Sequence, residues 1–297
     1  MDIRELKYFL TVAQEKSISK AAEKLYITQP SLSRQMQNLE KEIGKQLFIR
    51  GNKSTTLTET GMLLKKRAEE IISLHNKTKS ELAEQTDNFS GEIFIGSGES
   101  YVIEEVAKTA KKLHDQHPGI IFHFFSGDTQ EIAERLDKGL IDFGILVEPA
   151  DTSKYNSLRL KQKDTWGVLM RKDSPLAEKK YVTREDLKDK PLIRSKHAVN
   201  TTALSDWFEC DTQTLNIVAT YNLLYNASVL VREGLGYAIG LDKIINTTGD
   251  SDLCFRPLMP SFQSSLSVVW KHNQIFSSAS QKFLDELKKQ LSDHPNT

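Results

Sequence analysis

Thr28-Gln29-Pro30-Ser31-Leu32-Ser33-Arg34-Gln35-Met36-Gln37-Asn38-Leu39-Glu40-Lys41-Glu42-Ile43 carries two patterns in one helical repeat. Leu32, Met36, Leu39 and Ile43 are spaced four, three and four residues apart, which lays them on a single stripe of a helix. Ser31, Arg34, Gln35 and Asn38 repeat the same kind of spacing on another face, and all four have hydrogen-bonding side chains. Thr28 is placed to cap this helix, and Pro30 falls in its first turn, where the amide it lacks has no helical partner in any case. Such a helix can pack on one side and read major-groove edges on the other: Arg matches guanine, Gln or Asn matches adenine, and Ser or Thr near the start suits phosphate. A merely solvated face would carry the same residues, so the flanking sequence decides.

Upstream, Ile3, Leu6, Phe9, Leu10 and Ala13 predict a first helix, and after a break around Glu15 to Ser17 a second, short helix is expected with Ser19 as its cap and Ala21, Ala22 and Leu25 buried. Downstream, Gly44 ends the third helix and Leu47-Phe48 reads as a short strand. Arg50-Gly51-Asn52-Lys53 makes a basic tip, and Thr55 to Leu57 is the returning strand. Three short helices with a cation-tipped wing favour a DNA reader over a solvated bundle. The charge agrees: residues 1–57 carry ten Lys/Arg against six Asp/Glu, in a chain whose formal net charge is zero.

This stretch resembles the N-terminal domain of LysR-type transcriptional regulators. The resemblance rests on Leu6 to Phe9, Ser19 to Leu25, Thr28 to Gln35, Leu39-Glu40, Gly44, Leu47-Phe48-Ile49-Arg50 and Leu57-Thr58-Glu59-Thr60-Gly61. The family commonly has alanine where this chain has Thr60. With the resemblance, residues 1–60 are expected to form an all-α winged helix-turn-helix on double-stranded promoter DNA. The contacts expected are Ser19, Thr28, Gln29, Pro30, Ser31, Ser33, Arg34, Gln35, Asn38, Arg50 and Lys53.

Residues 58–88 contain no Pro and have Gly61 as their only Gly, so a long linker helix is expected. Leu57, Leu64, Ile71 and Thr78 repeat every seven positions, with Gly61, Ala68, His75 and Leu82 as the companion series. The seam suits a dimer contact, parallel or antiparallel, or a helix packed on its own domain. Paired half-sites favour the dimer, and the resemblance implies the same. His75 reads as a structural polar residue.

Beyond Asp87 to Gly91, strands and helices alternate, which implies parallel sheets covered by helices. Two α/β subdomains are expected, residues 89–162 plus 266–297 and residues 163–265, with a cleft between them. Asp142-Phe143-Gly144-Ile145 and Val231 to Gly236 resemble strings of the effector domain of the same family, whose fold is like that of type II periplasmic binding proteins. Ligands of such sheets bind where strands lead into helix N-termini. The expected effector contacts are therefore Ser97, Gly98, Glu99, Ser100, Gly127, Thr129, Ser195, Thr202 and Asn222. Their hydroxyls and amides suit a carboxylate or another small anion, with Arg194, Lys196 and His197 as added positive charge. Glu99 opposes this: it points away, or the effector carries an amine, or the anion preference is wrong. Each loop hydroxyl also has an ordinary reading as a helix cap.

Other classes fit less well. With 38% hydrophobic and 27% charged residues, no apolar run reaches a membrane span. Met1 to Ala13 contains Asp2, Arg4, Glu5 and Lys7, unlike a secretory leader, so a cytoplasmic address is expected and a solute scavenger is not. Cys210 and Cys254 stand 44 positions apart without metal-ligand spacing, so reduced structural thiols are expected, with no metal and no cofactor. Gly96-Ser97-Gly98 is only a fragment of a nucleotide fingerprint, and nucleophile-elbow, zinc-protease and phosphate-loop strings are missing, which argues against an enzyme. The expected protein is a regulator, a homodimer or homotetramer associating through its linker helix and effector domain, whose grip on DNA changes when a small molecule closes the cleft.

Overall fold

The computed structural model describes residues 1–51, 54–82, 90–148, 150, 152–196, 202–210 and 214–292. The chain divides into two compact units, Met1–Glu84 and Gln85–Thr297. The first contains helices α1 (Ile3–Glu15), α2 (Ile18–Lys24) and α3 (Gln29–Ile43), a hairpin of β1 (Phe48–Arg50) and β2 (Thr55–Leu57), and the long helix α4 (Glu59–Leu82). Asp2 opens α1 through a capping box with Glu5, each side chain accepting from the other's backbone amide. The cap of α2 is Ser17, not Ser19: Ser17 Oγ accepts from the Lys20 amide at 3.4 Å, and Ser19 lies inside the helix. Ile18 packs against the core and draws the helix start forward. Thr28 stands at the N-cap of α3, but its side chain makes no capping bond.

Leu6, Phe9, Val12, Leu32, Met36 and Leu39 form the centre of this unit's core, and the wing is tied onto it by Phe48, whose ring lies 5.3 Å from that of Phe9. Glu40 fixes the start of the wing: its Oε1 accepts from the amides of Leu47 at 2.8 Å and Phe48 at 3.2 Å. α4 then begins against the same strand. Thr58 N–H donates to the Leu47 carbonyl at 3.0 Å, and Thr58 Oγ1 accepts from the Gly61 amide at 3.0 Å. Gly61 allows this close approach, since a Cβ there would fall 2.2 Å from the Leu47 carbonyl oxygen. Leu57, Gly61, Leu64 and Ala68 are thus spent on their own unit, so the first half of the proposed heptad seam is intramolecular. Leu63, Ile71, Leu74 and Leu82 remain exposed and apolar on α4.

The second unit is built on β3 (Ser90–Ser97), α5 (Ile103–Gln116), β4 (Gly119–Ser126), α6 (Thr129–Asp137), β5 (Phe143–Val147) and the seventeen-residue β6 (Tyr155–Arg171). There follow β7 (Val182–Thr183), α7 (Arg184–Leu187), β8 (Leu192–Ser195), α8 (Thr202–Phe208), β9 (Ile217–Tyr221), α9 (Leu224–Arg232), β10 (Tyr237–Leu241), β11 (Leu253–Met259), β12 (Gln263–Lys271) and α10 (Ser278–Ser292). β3 pairs in parallel with β4 and β5, and β12 runs antiparallel between β5 and β6. β6 then changes partners. Tyr155 to Thr165 pair with β12, whereas Trp166 to Arg171 pair with β10 and β11. β8 lies parallel between β10 and β9. One strand therefore belongs to two sheets.

Each sheet is a layer between helices, as its nearly continuous apolar strands require. α5 and α10 bury Val106, Leu113 and Phe283 against Ile93, Ile95 and Phe143, while α6 covers the other face through Ile132 and Leu136. In the second subdomain α8 packs Leu204 and Phe208 on one face, and α9 packs Leu224, Ala227 and Val231 on the other. Cys254 is buried and Cys210 is packed against the same cluster, both as free thiols.

Gly61→Ala gives a test of the wing-to-helix contact. Alanine should gain about 1 kcal/mol in a helix interior, yet the collision with a backbone carbonyl should reverse the sign and cost about 1–3 kcal/mol. Urea unfolding should show a lowered midpoint, and a raised one would remove this contact from the account.

Candidate functional site

Two surfaces carry the candidate residues, one in each unit. On α3, Leu32, Met36 and Leu39 are fully buried, and Ser31, Arg34, Gln37 and Asn38 are exposed. Gln35 and Ser33 flank the buried stripe and are half-buried. Arg34 makes no hydrogen bond or ion pair with any other described residue, so its guanidinium is presented by a helix whose other face is locked in the core. Thr28, Gln29 and Pro30 are exposed at the helix start, and Ser19 is inside α2. The sequence reading omitted Gln37, which lies closer to the middle of the outward arc than Gln35, and Tyr26, which is 96% exposed in the turn ahead of α3. In the wing, Gly51 N–H donates to Ser54 O at 3.0 Å. Lys53 and the side chain of Arg50 lie outside the described residues.

In the second unit a cavity of about 540 Å³ opens between the two subdomains. Its wall is made by the C-terminal ends of parallel strands and the loops that leave them, the place a doubly wound topology provides. Gly98, Glu99, Gly127 and Thr129 line it from the first subdomain, and Ser195 and Asn222 from the second. Ser97 and Ser100 are buried behind this wall: Ser97 Oγ donates to Gly98 O, and Ser100 Oγ accepts from the Val102 amide at 3.0 Å, so both hydroxyls are turned to local structure. The side chain of Thr202 and the whole of His197 lie outside the described residues, and Arg194 and Lys196 are not among the lining residues.

The crossing of β6 forms part of this cavity. Trp166 N–H donates to Phe262 O at 2.9 Å, and its Nε1 donates to Ser264 Oγ at 2.8 Å. The Trp166 and Phe262 rings stack 5.4 Å apart at 22°. This pair spans the two chain crossings between the subdomains. Asp164, two residues before Trp166, is buried, and burial pushes its carboxyl above the ordinary aspartate range. The Ser100 hydroxyl and the Tyr101 and Val102 amides pull it back, and Asp242 pushes it up again. Asp164 Oδ2 has no hydrogen-bond partner among the described residues.

Glu99 crosses the cleft. Its Oε2 accepts from the Leu224 amide at 2.6 Å, at the start of α9, where the N-cap residue Leu223 supplies no capping side chain. The first of the three alternatives for Glu99 therefore fails in this arrangement: the carboxylate points into the cavity and takes the helix N-terminus from within. Tyr221 lies beside it, with its hydroxyl donating to Ile239 O at 2.8 Å and held well above the ordinary phenol range by burial and then by the Glu99 charge. The aromatic side chains Tyr155, Trp166, Tyr221 and Phe262 and the acids Asp128, Asp137 and Glu148 also line the cavity. Tyr155, Trp166, Phe262, Asp137 and Glu148 were not singled out as ligand contacts from sequence, whereas Asp128 and Tyr221 fall in the loops that strand-to-helix order places at the cleft.

Residues 3–62 match the family model described as bacterial regulatory helix-turn-helix protein, lysR family, and residues 86–292 match the LysR substrate binding domain. Among curated proteins, the HTH-type transcriptional regulator YvbU of Bacillus subtilis (strain 168) is 30% identical over 242 residues, 80% of this chain and 81% of its own. YfeR, an HTH-type transcriptional regulator of Shigella flexneri, is 25% identical over 289 residues, 97% of this chain and 94% of its own. In fold, the chain matches full-length CbnR complexed with its target DNA at a TM-score of 0.77 and 17% identity, covering 98% of this chain and 100% of that one. Full-length BenM matches at a TM-score of 0.55 and 23% identity, covering 100% of both chains.

Asp164 sets a pH dependence. A carboxyl raised in the folded state binds its proton more tightly there than in the unfolded chain, so stability is lost as pH climbs from about 4 through the raised value. Asp164→Asn lacks this term. Its stability relative to the parent protein should grow between acid and neutral pH in urea titrations, and a constant difference across that range would refute the assignment.

Proposed function

The chain belongs to the LysR family, as a DNA-binding transcriptional regulator with an effector-binding domain, and from that premise we propose how its residues divide the work. Arg34, Gln35 and Asn38 read base edges from α3. Ser19, Thr28, Gln29, Pro30, Ser31 and Ser33 set its position on the backbone, and Arg50 and Lys53 anchor the wing. The observation that carries this is Arg34, exposed and without a partner among the described residues, on a helix fixed by its buried stripe. A guanidinium so held docks on guanine without first giving up a protein contact.

The regulator works as a homodimer or homotetramer. The exposed Leu63, Ile71, Leu74 and Leu82 of α4 supply an apolar contact that pairs two reading heads. A small molecule between the effector subdomains biases their closure and, by linkage, the grip on DNA. In this reading the domains run 1–60, 58–88, 89–162 with 266–297, and 163–265, and the chain acts in the cytoplasm as a regulator and not as an enzyme.

Gel shifts and footprints on genomic fragments test this, with protection of a discrete site at moderate salt as the expected result. Arg34→Ala should lose about 1–3 kcal/mol at one base pair and relax preference there. Lys53→Ala should weaken all sequences alike and lower the salt slope by about one. An Arg34→Ala protein with unchanged sequence preference would sink the assignment of the reading residue.

A further inference from the structure

We propose that the cleft takes an organic cation, an amine or quaternary ammonium on an apolar body, whose head group lies between the Glu99 carboxylate and the aromatic side chains at the subdomain crossing. The assignment rests on the reading of the cavity as the effector site and names the chemistry of its occupant.

An anion in such a cleft would need vacant helix N-termini. Among the described residues, the helix N-termini that reach the cavity, those of α6 and α9, are already filled by the protein's own carboxylates. Glu99 Oε2 takes the Leu224 amide of α9, and Asp128 accepts from the Glu131 amide at 2.9 Å at the start of α6 while Glu131 accepts from Asp128 N–H in return. A helix end carries a partial charge of roughly half a proton, less than one carboxylate, so the α9 end remains net negative after capping by Glu99. An anionic ligand meets repulsion where the fold would otherwise offer attraction.

The remaining charge points the same way. Asp137 is satisfied by the Tyr155 hydroxyl at 2.8 Å, a neutral donor that leaves its charge in place. Glu148 is offset by Arg159 at 2.8 Å. Lys154 is the one cation among the described lining residues, and it is exposed. Glu99 and Asp137 thus face the cavity without a cationic partner among the described residues, and Glu99 Oε1 accepts no hydrogen bond there.

The apolar part of the lining completes the site. Trp166 and Phe262 form a stacked pair that lines the cavity, with Tyr221 close to Glu99. Aromatic faces attract cations through their quadrupole, most strongly where water is excluded, and a carboxylate beside them supplies the charge-assisted hydrogen bond. Ile132, Ile145, Leu241 and Ile244 give the body of the ligand an aliphatic wall. Among the described lining residues, an anionic ligand would find Lys154 as the sole cation, and it is exposed.

The intact protein can be tested by thermal shift and tryptophan fluorescence with phenethylamine, phenethyl alcohol and phenylacetate, which share a body and differ in head charge, and with choline. The melting temperature should rise saturably with at least one of the two cations, less with the alcohol, and not with phenylacetate at matched ionic strength. Glu99→Gln keeps a carbonyl oxygen to accept from the Leu224 amide, so its ligand-free melting temperature should stay close to the parent value. Its affinity for the cation should fall on the order of tenfold or more. A response to phenylacetate that equals or exceeds that to phenethylamine overturns the proposal, as does silence from both cations or an undiminished response in Glu99→Gln. Retention of random-sequence duplex DNA on the same samples separates the two levels: a protein that holds DNA and ignores the cations loses this assignment only, whereas one that does not hold DNA loses the underlying reading.

Discussion

The effector half of this protein depends on one strand having two sets of partners. β6 gives its first eleven residues to β12 and its last six to β10 and β11, so neither sheet can form without fixing the start of the other. A strand is stiff along its length and soft only in twist, which restricts relative motion of the subdomains to rotation about the change of partner at Thr165 and Trp166. Glu105 reinforces the first half of the strand: buried on α5, it accepts from the amides of Lys161 at 3.2 Å and Gln162 at 2.7 Å. The stacked Trp166 and Phe262 brace the second crossing against the first.

How far the sequence could be read depended on whether one segment had one set of neighbours. α3 was legible because its buried and outward faces are fully separated, and its buried stripe of Leu32, Met36 and Leu39 is the stripe the spacing predicts. α4 was legible as a helix but not in its contacts. Gly61, Leu64 and Ala68 satisfy a heptad and also a close approach to Leu47 and the wing, and periodicity does not say which neighbour a stripe faces. The end of α2 was hard to place for a different reason. Its chain reversal uses Tyr26 at φ 56°, with Ile27 N–H donating to Ala22 O at 3.0 Å, a position where glycine is the usual marker and an L-residue is strained. Serine before an apolar run marks a cap in general, but with Ser17 and Ser19 both available the burial of Ile18 chose between them.

The effector cleft was legible as a location and not as a chemistry. Strand-to-loop-to-helix order is enough to say where parallel strands end, and six of the nine residues expected there line the cavity. The sign of the ligand's charge was not accessible, because it depends on which carboxylates lie at which helix ends across a tertiary gap. Glu99 and Leu224 are 125 positions apart, and no local pattern links them. Hydroxyl-rich loops read as an anion cradle only while their helix N-termini are vacant; in this fold those of α6 and α9 are taken.

The bond from Glu99 to Leu224 also has a suitable size for a switch. A hydrogen bond to a charged group contributes about 1.5–3 kcal/mol, and coupling free energies between effector and target sites run to about 1–3 kcal/mol. A latch much stronger than this would hold the subdomains closed whatever the ligand did, and one much weaker would not distinguish the closed state from solvent-separated loops. Because the carboxylate uses one oxygen for the latch and has no hydrogen bond at the other among the described residues, a ligand that draws on its charge would compete with the helix end for the same electron density without displacing it. The interdomain contact and the ligand's affinity are then two readings of one group.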